Sequence, residues 1–190
     1  MSDKLRIGLA MCGSFCTFEK VLSQMEPMSR RYEMTGIMSE AAAGTDTRFG
    51  PAAVHRARLE KLTGKPVMRT VSEAEQVGPG KLFDVLVIAP CTGNTLGKLA
   101  AGITDTAVTM AAKAHLRNGR PVVIAMSTND GLSASLKNIG ELMVRKGYYF
   151  VPFGQDDPEK KPTSLAADFT KVEQTVLAAL EGKQIQPILA

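Results

Sequence analysis

Residues 83–106 read FDVLVIAPCTGNTLGKLAAGITDT. A continuous apolar run over residues 85–89 predicts a strand buried on both faces. Pro90, which has no N–H to give a central ladder, is expected to end it. The following Cys91-Thr92-Gly93-Asn94-Thr95 is small and rich in hydroxyl and amide groups, and it leads into a helical pattern of Leu96, Leu99, Ala100 and Ile103. Strand, tight polar loop and helix start is the arrangement by which α/β sheets hold ligands at the carboxyl ends of parallel strands. A helix start offers unpaired N–H groups and partial positive charge, so an anion or a polar ring edge is favoured there. Thr92, Asn94 and Thr95 would also serve as caps, but one cap needs one such residue and four polar or glycine positions come together.

Working outward, residues 4–10 predict the first strand, Met11-Cys12-Gly13-Ser14-Phe15 a turn, and residues 15–31 a helix with Phe18, Val21, Leu22 and Met25 on one face. Pro27 is expected to bend or shorten that helix. Residues 33–38 form the second strand, and Ser39 ends it. Residues 40–50 read as a loop whose two large side chains are Arg48 and Phe49. A helix over 51–62 begins with proline at its first position. A short strand at 66–68 and a short helix at 72–77 precede the Gly78-Pro79-Gly80 turn. After the quoted stretch come an alanine-rich helix over 107–118, a strand over 121–126 and a second polar cluster, Ser127-Thr128-Asn129-Asp130. A helix over 132–146, a strand over 148–151, a charged loop at 155–163 and a closing amphipathic helix over 165–180 complete the chain. His55, flanked by arginines, reads as a solvated helix residue and His115 as a surface or interface residue.

Alternating elements with buried strands predict one α/β domain over 1–190: a three-layer, Rossmann-like or flavodoxin-like parallel sheet with helices on both faces. The polar groups at Gly13-Ser14, Ser39, Thr92 to Thr95 and Ser127 to Asn129 all fall at strand carboxyl ends, which places them around one ligand cleft. Gly13-Ser14 is either a phosphate turn or a turn with Ser14 as a cap. Cys12 and Cys91 share that edge; with neither a CxxC nor a metal-ligand spacing, they read as small lining residues.

The net charge of +4, with no tryptophan and three tyrosines, lacks the aromatic interleaving of a nucleic-acid surface and fits a small acidic ligand better. No apolar run is long enough to span a bilayer and no basic-plus-apolar leader precedes the first strand, so a cytoplasmic protein is expected. An odd count of three cysteines argues against a disulfide framework.

Ala89-Pro90-Cys91-Thr92-Gly93-Asn94-Thr95 followed by Gly97 to Asp105 resembles the signature of the FMN-binding cysteine decarboxylases. Thr45 to Gly50, Arg120 to Val123, Ser127 to Asp130 and Val151-Pro152-Phe153-Gly154-Gln155-Asp156-Asp157-Pro158 resemble the dipicolinate synthase B subunits, and this likeness covers nearly the whole chain. The likeness to decarboxylases stops short of their chemistry. Residues 75–84 hold no histidine, and Ala125-Met126-Ser127 stands where that family carries Pro-x-Met-Asn.

The resemblance implies an FMN site built from Gly13, Ser14, Phe15, Ser39, Pro90, Thr92, Gly93, Asn94, Thr95 and Ser127, with a bare phosphate as the alternative occupant. It names no catalytic residue and no metal. It further implies NADP-dependent oxidation of dihydrodipicolinate to dipicolinate during sporulation. NADP would then sit on the partner, the A subunit of dipicolinate synthase, since this chain has no GxGxxG. Homo-oligomers are implied as well. Arg48, Lys98 and Asn129 are the candidates for the dicarboxylate, and Lys160 and Lys161 could reach over the rim. A stand-alone FMN enzyme for a small acid and a non-catalytic scaffold with a vestigial site are the competing readings.

Overall fold

The structure, a computed structural model, describes residues 4–189. The two ends of the expected 1–190 domain, residues 1–3 and 190, lie outside the described residues. Five strands run parallel: β1 (Arg6–Met11), β2 (Glu33–Met38), β3 (Val85–Cys91), β4 (Val122–Thr128) and β5 (Tyr148–Phe150). Two short strands, β6 (Phe153–Gly154) and β7 (Leu165–Ala167), add an antiparallel extension, giving the order β2-β1-β3-β4-β7-β6 with β5 also on β4. The sheet is therefore mixed, and the all-parallel expectation holds for its first five strands only. The outer edge of β4 is divided. Residues Val122 to Ile124 pair with β5, while Ser127 and Thr128 pair with β7.

All seven residues of β3 are buried, as a strand covered on both faces requires. Ile7, Leu9, Val85, Val87 and Val123 face one layer, formed by α1 (Phe18–Arg31), α2 (Glu40–Gly44), α3 (Ala52–Thr63) and α8 (Val172–Leu180). Ala10, Leu86, Ile88, Val122 and Ile124 face the other, formed by α4 (Val71–Glu75), α5 (Gly93–Ala101), α6 (Ala107–Leu116) and α7 (Leu136–Val144). Each such isoleucine, leucine or valine side chain contributes roughly 1.5–3 kcal/mol when fully removed from water. The chain moves from β1 to β2 on one side and returns to β3 on the other. The crevice between the carboxyl ends of β1 and β3 is thus a topological switch point.

Several expectations are corrected. Pro90 does not end β3. It sits inside the strand after a cis Ala89–Pro90 bond, and the β3–β4 register shifts between Ile88 and Cys91. Ile88 faces Ile124 and Cys91 faces Met126, so β3 holds one extra residue there, and a residue without an N–H fits such a bulge. Pro27 lies exposed within α1 and does not shorten it, since the helix continues to Arg31 and solvent can satisfy the carbonyl that loses its donor. Residues 40–44, read as loop, form α2. Helix α7 starts at Leu136 rather than 132, because the preceding residues turn around Asp130: the N–H groups of Ser133 and Ser135 both donate to its carbonyl. The helix expected from residue 165 begins at Val172; Leu165 to Ala167 pair instead with β4 and β6, a case of tertiary pairing overriding helix propensity.

His115 is not at the surface. It is 1% exposed in α6, and its Nε2–H donates to the Pro121 carbonyl at 3.1 Å. Burial lowers its pKa from 6.5 to about 4. The unfolded chain therefore binds the extra proton between these values, and stability falls as pH drops from 6.5 to 4. The shift corresponds to about 3 kcal/mol. Urea unfolding across that pH window should show a loss of this size, and His115→Gln should flatten it even though the variant is less stable at pH 7.

Candidate functional site

A cleft of about 670 Å³ opens at the carboxyl ends of the strands. Four segments contribute to it: the turn Gly13 to Thr17 after β1, Arg48 and Phe49 after α2, Thr92 to Asn94 after β3, and Ser127 to Asp130 at the end of β4. Asp156, Lys161 and Ser164 close one side from the late loop. The volume lies within the range of small-molecule sites.

Two helix starts meet in this cleft, and they differ. After β1, residues Phe15–Thr17 make a 3-10 turn that continues into α1, and Ser14 occupies its cap position without capping it. The Ser14 hydroxyl instead pairs with the Ser127 hydroxyl at 2.9 Å, across the switch point. The first N–H groups of this helix therefore keep no side-chain acceptor and remain available to a ligand. Uncapped N–H groups, a flanking glycine and two hydroxyls form a donor set that fits a phosphate.

The start of α5 carries a side-chain cap. Thr92 caps it, with its Oγ1 accepting from the Thr95 N–H at 3.4 Å. The carboxylate of Asp130 stands against Gly93, the first helical residue. A Cβ on Gly93 would lie 2.5 Å from Asp130 Oδ1, 2.5 Å from Ser135 Oγ and 2.7 Å from Thr128 Oγ1. Thr128 Oγ1 and Ser135 Oγ both donate to Asp130 Oδ1, the latter at 2.9 Å. Glycine is required here by the close approach of a carboxylate with its two donors. A carboxylate of the protein itself thus stands beside this helix start, held by two hydroxyls rather than by the helix N–H groups.

Of the candidate residues, Gly13, Ser14, Phe15, Arg48, Thr92, Gly93, Asn94, Ser127 and Asn129 line the cleft. Four do not. Ser39 caps α2, accepting from the Ala42 N–H at 3.2 Å. Pro90 is buried in the bulge, and its carbonyl accepts from the Cys12 N–H at 3.1 Å. Thr95 is buried and donates to the Cys12 sulfur at 3.2 Å. Lys98 Nζ is paired with both oxygens of Asp105, at 2.8 and 2.9 Å. Lys161 reaches the cleft and Lys160 does not; Lys161 is loosely paired with Asp156 at 3.4 Å.

Arg48 and Phe49 project from a tight turn closed by mutual backbone bonds between Thr47 and Gly50. The Arg48 guanidinium lies 4.9 Å from the Phe49 ring centre. Cys12 and Cys91 are fully buried under the cleft rather than lining it. The bulge turns Cys91 onto the face that carries Cys12. Hydrogen bonds from Cys91 and Thr95 hold the Cys12 thiol below its usual pKa, whereas burial pushes Cys91 well above. Residue pattern alone places Asp130 in a polar cluster and gives no sign of its role, because its partners Gly93 and Ser135 lie in other segments.

The Flavoprotein family model matches residues 1–177. The chain is 44% identical over 185 residues to the dipicolinate synthase B subunit of Bacillus subtilis (strain 168), covering 97% of this chain and 92% of that one. The crystal structure of the dipicolinate synthase B subunit from Bacillus halodurans C matches with a TM-score of 0.90 and 41% identity, over 100% of this chain and 98% of that one. The FMN-dependent cysteine decarboxylase SpaF matches with a TM-score of 0.66 and 23% identity, over 93% of this chain and 98% of that one, which shows a shared fold.

The contact at Gly93 makes a paired test of two glycines. Gly93→Ala must displace Asp130 and its donors, and urea unfolding should show a loss of about 1–3 kcal/mol. Gly140→Ala, in the interior of α7 with nothing within 4 Å of the added methyl group, should instead gain about 0.5–1 kcal/mol.

Proposed function

The chain belongs to the Flavoprotein family, and we propose that it is the flavin-binding B subunit of a dipicolinate synthase. In this reading it supports NADP-dependent oxidation of dihydrodipicolinate to pyridine-2,6-dicarboxylate and works beside a second subunit that binds NADP. The observation that carries the proposal is the 44% identity, over 97% of this chain, with a dipicolinate synthase B subunit. The uncapped helix start at Ser14, in the cleft of a flavoprotein fold, supports the cofactor.

FMN would be held by Gly13, Ser14, Phe15 and Ser127 at its phosphate end and by Thr92 and Asn94 along the cleft. Bound there, it would supply two-electron redox chemistry. The chain's own residues position the dicarboxylate. Arg48 offers a planar guanidinium able to clamp a carboxylate with two parallel bonds, Phe49 a partly exposed ring face, and Asn129 and Lys161 further donors. Lys98 is left out because Asp105 satisfies its charge. Cysteine decarboxylation is not part of the reading. The histidine and the asparagine clamp of that chemistry are missing, and likeness of fold does not restore them.

Two measurements test the proposal. Ser14→Ala should weaken FMN binding about ten- to a hundredfold, as the loss of a charge-assisted hydrogen bond of roughly 1.5–3 kcal/mol requires, with little change in the melting temperature of the flavin-free protein. A variant that titrates FMN like the parent would remove Ser14 from the site. The purified chain mixed with its partner should form dipicolinate from dihydrodipicolinate and NADP far faster than either alone. Arg48→Ala should slow the mixture while the two chains still co-purify. Full activity from the partner alone would exclude this chain from the synthase.

A further inference from the structure

We propose that Asp130 makes the cleft selective for a ligand whose nitrogen carries a proton, so that a cyclic dicarboxylate binds with its ring N–H on Asp130 and its carboxylates on Arg48 and Lys161. The inference rests on the dicarboxylate reading of the cleft and adds a polarity to it.

Asp130 is held on one side only. Its Oδ1 accepts from Thr128 Oγ1 and Ser135 Oγ, and none of the described residues donates to Oδ2. Asp130 lines the cleft and is part buried, and the proposed ligand takes the unused oxygen. A carboxylate has about four acceptor sites and no donor when ionised. Its position is fixed three ways: by the two hydroxyls, by the turn that folds Ser133 and Ser135 back onto its carbonyl, and by Gly93, where no side chain can stand. The start of α5 favours negative charge at this point. A ligand atom placed here must therefore donate a hydrogen bond. A bare lone pair or a second carboxylate would be repelled, and the repulsion would be strong in a partly desolvated cleft.

The cations of the cleft lie on other segments, Arg48 after α2 and Lys161 on the late loop. They line the same cleft as Asp130, so one ligand there can meet an acceptor and two cationic donors, with Lys161 exchanging its loose 3.4 Å contact with Asp156 for the ligand. A partly reduced ring protonated on its imine nitrogen matches that pattern. The aromatic ring does not, since its nitrogen offers only a lone pair. The same residue would thus favour the precursor and disfavour the product, which assists product release without any proton transfer by Asp130.

Calorimetric titration of the full chain with FMN added, in metal-free buffer at neutral pH, tests this with two probes. Piperidine-2,6-dicarboxylate carries a ring ammonium; pyridine-2,6-dicarboxylate carries a lone pair. The parent should bind the piperidine probe at least tenfold more tightly. Asp130→Asn keeps an oxygen for Thr128 and Ser135 and offers an amide N–H to the pyridine nitrogen, so the ratio should fall at least tenfold or reverse. Asp130→Ala, which removes the acceptor without adding a donor, should abolish the preference and serves if the asparagine variant is unstable. A parent that prefers the pyridine probe, or a ratio unmoved in both variants, overturns the role of Asp130 while leaving the dicarboxylate site intact. A parent that binds neither probe overturns both.

Discussion

The pairing of β3 between β1 and β4 is the constraint on which the rest depends. It buries β3 on both faces and sets the switch point at its carboxyl end. It also meets a residue, Pro90, that cannot donate to a ladder. The extra residue at the bulge resolves that conflict locally. From there Cys91 lies on the same face as Ile88, and Thr92 follows as the cap of α5. A shift of one residue in a strand exchanges its two faces. The bulge therefore determines which side chains lie beneath the cleft and which line it.

The cleft is organised by a difference between two helix starts. One is open, because Ser14 bonds across to Ser127 rather than capping its own turn. The other is closed, with Thr92 as cap and Asp130 in front of it. Both ends carry the partial positive charge of a helix, but only the second has a side-chain cap and a carboxylate beside its first residue. The second has been converted into an acceptor site by a carboxylate fixed through Thr128 and Ser135. A donor-rich segment and a fixed acceptor thus line one cavity.

Much of the architecture was legible in order along the chain. The apolar run before Pro90, the polar turns after β1, β3 and β4, and the spacing of elements sufficed for an α/β sheet with its ligand edge. Local signals failed where pairing was non-local. Leu165 to Ala167 look helical by propensity, but the edge of β4 beyond β5 needed a partner. His115 read as a surface or interface residue, but α6 packs that side onto the sheet and its ring onto the Pro121 carbonyl.

At the site itself, the sequence determined that hydroxyl, amide and glycine residues would collect at strand ends, because the alternation of strands and helices returns every such turn to one edge of a parallel sheet. The tertiary structure decided which of them face the cleft. Ser39 and Thr95 turned inward as cap and buried hydroxyl, Lys98 was claimed by Asp105, and Asp130 was brought against Gly93 from 37 positions along the chain. Residue type and spacing carry the first kind of information. The second depends on register, on the bulge and on which partner satisfies each polar group, and those are set only when distant segments meet.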